Sequence, residues 1–317
     1  MRHTSRRQLM GLSLSFAMLL TVAGGTTASA TAPAGARPVR QGFVATKVSG
    51  LRPGDRVSLD GISLLVPTAG MGSWGSALPV AGPERTLGVK TGADGSVTVL
   101  RKAVLGGSAP AQTNAPATPL APGACQDPAY LLEGSSWSTT YGWYFNMSST
   151  PSGITQDNAR SNLRNAVSHI THADNGNCGL PDRISATSAY QGSTSRSANI
   201  GTNGSCLGSD GTSVVDFGDL PSSELGYVCW WTQGTKTVEA DMRLNKFDYS
   251  WVTNIDGCNN KYDVEDVATH EFGHVFGLAD LNPNLHPALT MASSMNPCTL
   301  AQTTLGLGDV LGLQVLY

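Results

Sequence analysis

His270 and His274 stand four residues apart with Glu271 beside the first, inside the run Tyr262–Asp280, YDVEDVATHEFGHVFGLAD. On an α-helix residues four apart share a face. Two imidazoles can therefore aim at one point while a carboxylate lies next to them. Neutral imidazole nitrogen is a zinc ligand, and a catalytic zinc takes three protein ligands and keeps one position open. A carboxylate beside that position can take the proton of a water molecule. The third ligand must come from outside the helix. Gly277 allows the helix to stop, because glycine tolerates the left-handed conformation of a C-terminal cap. The chain can then fold back and bring Asp280 to the metal; His286, six residues further, is the alternative third ligand.

The longer pattern H-E-x-x-H-x-x-G-x-x-D is more specific than the bare motif. It resembles that of the metzincin zinc endopeptidases. HEFGHVFGL is similar to the matrixin active-site helix, and Thr290-Met291-Ala292 is similar to the Met-turn beneath the metal. Matrixins carry histidine where Asp280 stands, whereas an aspartate there resembles the snapalysins, small secreted bacterial proteases. The resemblance runs over about residues 124–317 and is strongest over 262–317. It implies an α+β catalytic domain with a twisted, mainly parallel sheet, an active-site helix, a Met-turn and a short C-terminal helix over Leu305–Tyr317. It also implies one catalytic Zn²⁺ on His270, His274 and Asp280, Glu271 as general base, and Met291 as an apolar floor beneath the metal. For Met291 an ordinary core methionine is the alternative. The implied substrate is a protein or peptide, and the implied state a monomer. No segment matches the matrixin structural-zinc and calcium loops, so no second zinc is expected; the acidic loops could hold Ca²⁺, but none shows a recognisable ligand spacing. Two other classes stay open: an inactive secreted binding protein on the same fold, against which the intact Glu271 argues, and a zinc hydrolase acting on a non-protein amide.

The elements that must position these residues precede the motif. Thr155–His172 has Ala159, Leu163, Ala166, Val167 and Ile170 at helical spacing. His169 and His172 near its end suit a helix C-terminus electrostatically. Trp137, Tyr141, Trp143 and Phe145 sit at even spacing, as the buried face of a strand requires. Ser213–Phe217, Tyr227–Thr232 and Val238–Leu244 follow as strands. In the last, Val238, Ala240, Met242 and Leu244 alternate with Glu239, Asp241 and Arg243, the pattern of a half-exposed strand.

The first 123 residues differ in kind. Residues 1–30 read as a secretory signal: Arg2, Arg6 and Arg7, then an apolar run from Leu9 to Ala23, then Ala28-Ser29-Ala30. That run is too short for a comfortable membrane span. Ser5–Met10 also fits a twin-arginine signal, so export by either route is expected. Between Gly42 and Val104 lie short β-type runs, Phe43–Val48, Val57–Pro67 and Ser96–Val104, followed by the Ala/Pro-rich linker 105–123. Residues 31–123 are expected to be a propeptide with a small β-module, partner to the 124–317 domain; a permanent accessory domain is the alternative. Charge favours such a partnership. Residues 124–317 carry 8 Lys/Arg and 19 Asp/Glu, while residues 1–123 carry 12 and 4. The acidic C-terminal part argues against a nucleic-acid partner.

All six cysteines, Cys125, Cys178, Cys206, Cys229, Cys258 and Cys298, follow the linker. An even number in an exported chain implies disulfides, here three, with fifteen connectivities open. Sequence neighbours suggest Cys125–Cys178, Cys206–Cys229 and Cys258–Cys298. No cysteine lies in 31–123, so a propeptide thiol that blocks the metal is not supported.

Overall fold

The computed structural model describes residues 43–102 apart from Pro83, and residues 121–317 apart from Asn177. The segment read as a signal, the lead-in after it and nearly all of the expected linker lie outside the described residues. Six N-terminal strands come first: β1 (Phe43–Val48), β2 (Arg56–Leu59), β3 (Ile62–Leu65), β4 (Met71–Pro79), β5 (Arg85–Thr91) and β6 (Val97–Lys102). After the linker come β7 (Tyr141–Phe145), α1 (Gln156–Thr171), β8 (Ser188–Ser193), β9 (Ser213–Gly218), β10 (Glu224–Gln233), β11 (Lys236–Asn245), α2 (Val264–Val275) and α3 (Leu307–Leu316). The chain is thus α+β.

One large sheet runs β1-β6-β5-β4-β10-β11-β9-β7-β8, with Ser136–Trp137 added on β11. From β11 to β8 every pairing is parallel. From β1 to β11 every pairing is antiparallel. The mainly parallel sheet expected for 124–317 therefore exists, and the N-terminal strands extend it as an antiparallel ribbon. The junction is β4 on β10, an antiparallel ladder from Glu224↔Pro79 to Gln233↔Met71. Trp74 of β4 stacks on Trp230 of β10 with ring centroids 5.8 Å apart, and Phe43 meets Trp74 edge-on at 5.3 Å. Such pairs add about 0.5–1.5 kcal/mol each beyond the area they bury. Trp74 and Leu78 join the same core as Trp143, Phe145 and Phe272.

The helices form for local reasons. The Thr155 side chain accepts the Asn158 N–H at 3.1 Å and caps α1, whose buried stripe is Ala159, Leu163, Ala166, Val167 and Ile170. Asp263 caps α2 through the N–H groups of Glu265 and Asp266. Apart from Glu265, every residue of α2 is buried. A helix apolar or buried all round must sit inside the molecule. α2 does, packed on α1 and against β10.

Two strand expectations need correction. Val57–Pro67 is not one strand but a hairpin, β2–β3, because Asp60 and Gly61 take φ of 51° and 82°. An Asp-Gly pair is suited to that left-handed turn. In β11, Ala240, Met242 and Leu244 are buried as expected, but Val238 is exposed and Glu239, Asp241 and Arg243 are buried. Segment 198–214 covers their face and satisfies them. Glu239 accepts from Ser209 and from the Asp210 and Gly211 N–H groups, Asp241 from the N–H groups of Asn199 and Val214, and Arg243 pairs with Asp216.

Three disulfides join Cys125–Cys178, Cys206–Cys229 and Cys258–Cys298, the pairs that sequence neighbours suggest. They fit an oxidising compartment. Among the described residues no helix is long and apolar enough to cross a membrane.

Candidate metal centre

α2 presents His270 and His274 on one face, and both ring orientations are fixed from behind. His270 Nδ1 donates to the Thr290 carbonyl at 2.8 Å, and His274 Nδ1 to the Leu278 carbonyl at 2.9 Å. A carbonyl can only accept, so each Nδ1 carries the proton and each Nε2 keeps its lone pair. Both Nε2 atoms converge on Asp280 Oδ1, at 3.2 Å from His270 and 3.4 Å from His274. Asp280 arrives there because Gly277, with φ of 92°, turns the chain just beyond the end of α2, and because the Leu281 N–H donates to the Met291 carbonyl at 2.7 Å. A Cβ at Gly277 would strike the Ser135 carbonyl.

A fourth group completes the cluster. Glu84, from the loop between β4 and β5, places Oε1 3.0 Å from His274 Nε2 and Oε2 3.6 Å from His270 Nε2. The donor atoms of Glu84, His270, His274 and Asp280 all lie within 4.8 Å of one another, and all four residues are buried. His270 Nε2, His274 Nε2, Glu84 Oε2 and both Asp280 carboxylate oxygens lack a hydrogen-bond partner. Buried polar atoms are seldom left so.

Two explanations compete for this arrangement. Imidazolium–carboxylate pairing would require a second proton on each ring. Burial opposes that and pushes the His274 pKa down, despite Glu84 beside it. Burial would likewise raise Glu84, and what holds its carboxyl below the usual range is the adjacent imidazoles, an effect that requires them to be protonated. A metal cation needs no added proton and would take up both Nε2 lone pairs together with an oxygen from each carboxylate. With bonds of about 2.0–2.1 Å, the edge of a tetrahedron is about 3.3–3.4 Å. The histidine-to-carboxylate separations, 3.0 and 3.6 Å to the two Glu84 oxygens and 3.2 and 3.4 Å to Asp280 Oδ1, lie near that edge, and the donor atoms all fall within 4.8 Å of one another. The donor set of two nitrogens and two carboxylates fits a divalent ion such as zinc.

Glu271 lies beside the cluster without belonging to it. Both carboxylate oxygens are buried and unpartnered, and burial, then Glu84, raises its pKa well above the ordinary value. Its side chain lies over Gly226 of β10, where a Cβ would overlap it. Met291 packs under α2 in the same manner, since a Cβ at Gly273 would strike its Sδ. The Met291 turn is held by Asp309 of α3, which accepts the N–H groups of Thr290 at 2.9 Å and Met291 at 3.2 Å.

His286 sits apart from the cluster, with Nδ1 2.8 Å from Asp127 Oδ2. His169 bridges Asp174 and Glu265, both at 2.8 Å, tying the end of α1 to the start of α2, while His172 stays with Ser168. Sequence reasoning missed three residues here: Glu84, Lys102 and Glu133. Lys102 Nζ donates to the Asp280 carbonyl at 2.9 Å and lies 3.6 Å from Oδ2. Glu133, 3.8 Å from His274 Nδ1, is pushed up to about 8 by burial and Glu84 against the pull of Lys102. One weak signal for Glu84 existed: it is the sole glutamate among the first 123 residues. A cavity of about 880 Å³ opens beside the cluster, between the N-terminal strands and segment 280–294.

No protein-family model matches this chain, and no curated protein matches it.

Proposed function

We propose that the chain is an exported zinc-dependent endopeptidase of metzincin type. One observation carries the reading. Two helix-borne Nε2 lone pairs and the Asp280 carboxylate converge, buried and unpartnered, with Glu271 alongside. His270, His274 and Asp280 would hold the ion. When bound, zinc supplies a Lewis acid for a carbonyl oxygen and lowers the pKa of water.

The protein's own groups would do the remainder. Glu271, raised by its dry surroundings, is poised to take a proton from water and return one to the leaving amine. The Thr290 and Leu278 carbonyls keep both imidazoles in the ligand tautomer throughout. The edge of β10 supports a polypeptide substrate. β4 shows that an extended chain can pair there and deliver an oxygen group to the cluster, as Glu84 is delivered.

Casein cleavage by the purified protein, with its N-terminal strands attached and after they are removed, tests the proposal. Cleavage should be abolished by a chelator and restored by zinc, with about one zinc per chain. Proteolysis that survives complete metal removal would overturn it, as would a fully loaded protein that cuts no polypeptide in either form.

A further inference from the structure

The N-terminal strands do more than pair with the sheet. The loop between β4 and β5 is anchored on both sides: β4 on β10, and Arg85 against Glu224 at the start of β10. Between these anchors the Glu84 carboxylate projects to the two imidazoles and is held from behind by the Ser76 hydroxyl. It is 7% exposed, has its oxygens among the donor atoms of His270, His274 and Asp280, and lines the cavity beside them. With three protein ligands a single position is left free for the attacking water, and a fourth donor from Glu84 would take it.

Resting on the peptidase reading above, we propose that Glu84 is the fourth metal ligand of the uncleaved chain and keeps the enzyme latent by occupying the water's position. The block has two parts that leave together. β4 fills the β10 edge a substrate would use, and Glu84 fills the metal position. Lys102, on β6 of the same ribbon, lies against Asp280. Removal of the ribbon takes away one carboxylate and one ammonium, so the net charge at the site is the same before and after. This device needs no cysteine, and the segment contains none.

The test uses the full chain, wild type and Glu84→Gln, each loaded with Co²⁺ in place of zinc. Glutamine keeps the side chain's shape and its bond from Ser76 but is a poor metal ligand. The wild-type visible spectrum should be insensitive to pH and to an added hydroxamate. In Glu84→Gln the bands should shift, titrate with pH as water enters, and respond to hydroxamate. With zinc restored, cleavage in the linker and release of the β1–β6 ribbon should raise peptide hydrolysis at least ~10²-fold over the uncut wild type, a difference expected when a ground-state block is lifted; uncut Glu84→Gln, in which β4 still covers the β10 edge, should open the metal position while gaining far less hydrolysis. Should Glu84→Gln not fold, Glu84→Asp, one methylene shorter, should give the same changes in smaller measure.

Identical spectra and identical hydroxamate responses in wild type and variant would overturn the proposal, even with both chains cutting peptide and the peptidase reading intact. An altered spectrum with no cleavage by any form overturns the peptidase reading and the latency with it, and leaves Glu84 a ligand.

Discussion

Gly226→Ala separates the position of Glu271 from the stability of the fold. A Cβ built on Gly226 would lie 2.8 Å from Glu271 Cδ and nearer still to Oε1. Carbon atoms in contact prefer about 3.5–4.0 Å, so the carboxylate must swing by about 1 Å. The strand itself should accept the change. Gly226 is absent from the positive-φ residues, and its obstructing neighbours are all on one flexible side chain. A compatible Gly→Ala change even stabilises by about 0.4–1 kcal/mol through the unfolded chain, which offsets the cost of moving one carboxylate. A misplacement of about 1 Å at a reacting group can cost ~10²-fold in rate, equivalent to about 2.7 kcal/mol of barrier. We therefore expect Gly226→Ala, assayed after cleavage in the linker and release of the β1–β6 ribbon, to keep its melting temperature within a few degrees of the wild type treated alike. It should keep its zinc and lose ~10²-fold in kcat/KM. Thermal unfolding, metal analysis and peptide hydrolysis read the three quantities. Unchanged kcat/KM in a folded, zinc-loaded protein would refute the placement of Glu271 as the base; loss of zinc would show that Gly226 supports the ligands instead.

Three further outcomes are expected. Glu271→Gln should retain bound zinc and lose ~10²–10⁴-fold in peptide hydrolysis, the span for a general base, as measured by metal analysis and turnover after the same release of the ribbon. Asp280→Ala should lose most of its zinc while His286→Ala keeps zinc and activity, because His286 is engaged with Asp127 and not with the cluster; zinc stoichiometry of both variants checks this. His169, part-buried, has its pKa raised because hydrogen bonds to Glu265 and Asp174 outweigh burial. Its stabilisation is complete below the unfolded histidine pKa of about 6.5 and is lost as pH rises through the higher folded value. His169→Ala should therefore lower the melting temperature more at pH 5.5 than at pH 9, and equal losses at both would remove the charge argument.

What the sequence disclosed follows from how far apart the cooperating residues lie along the chain. His270, Glu271, His274, Gly277 and Asp280 span less than a dozen positions. Helical periodicity and one glycine stop suffice to bring them together, and the same holds for the cap and stripe of α1. Charged residues in a strand are harder. Glu239, Asp241 and Arg243 look solvent-facing by alternation, and become buried because backbone N–H groups and Asp216, from outside the strand, satisfy them. Alternation measures polarity, not exposure, and a polar group can be buried once it is paired.

Glu84 is the extreme case, and the reason is specific. It reaches the cluster of His270, His274 and Asp280 through β4, MGSWGSALP, which has neither alternation nor β-branched residues to mark it as a strand. The two glycines that weaken the signal are what allow the docking. A Cβ at Gly72 would meet the Thr232 hydroxyl of β10, and one at Gly75 would meet the Tyr227 hydroxyl and Cys206. Close backbone approach is a recognised use of glycine within strands, but sequence alone does not say which neighbour is being approached. The chemistry proposed to act on a substrate is therefore written locally, in one helix and the turn after it. The carboxylate proposed to restrain that chemistry is written at the other end of the chain, in residues whose own pattern gives no sign of what they touch.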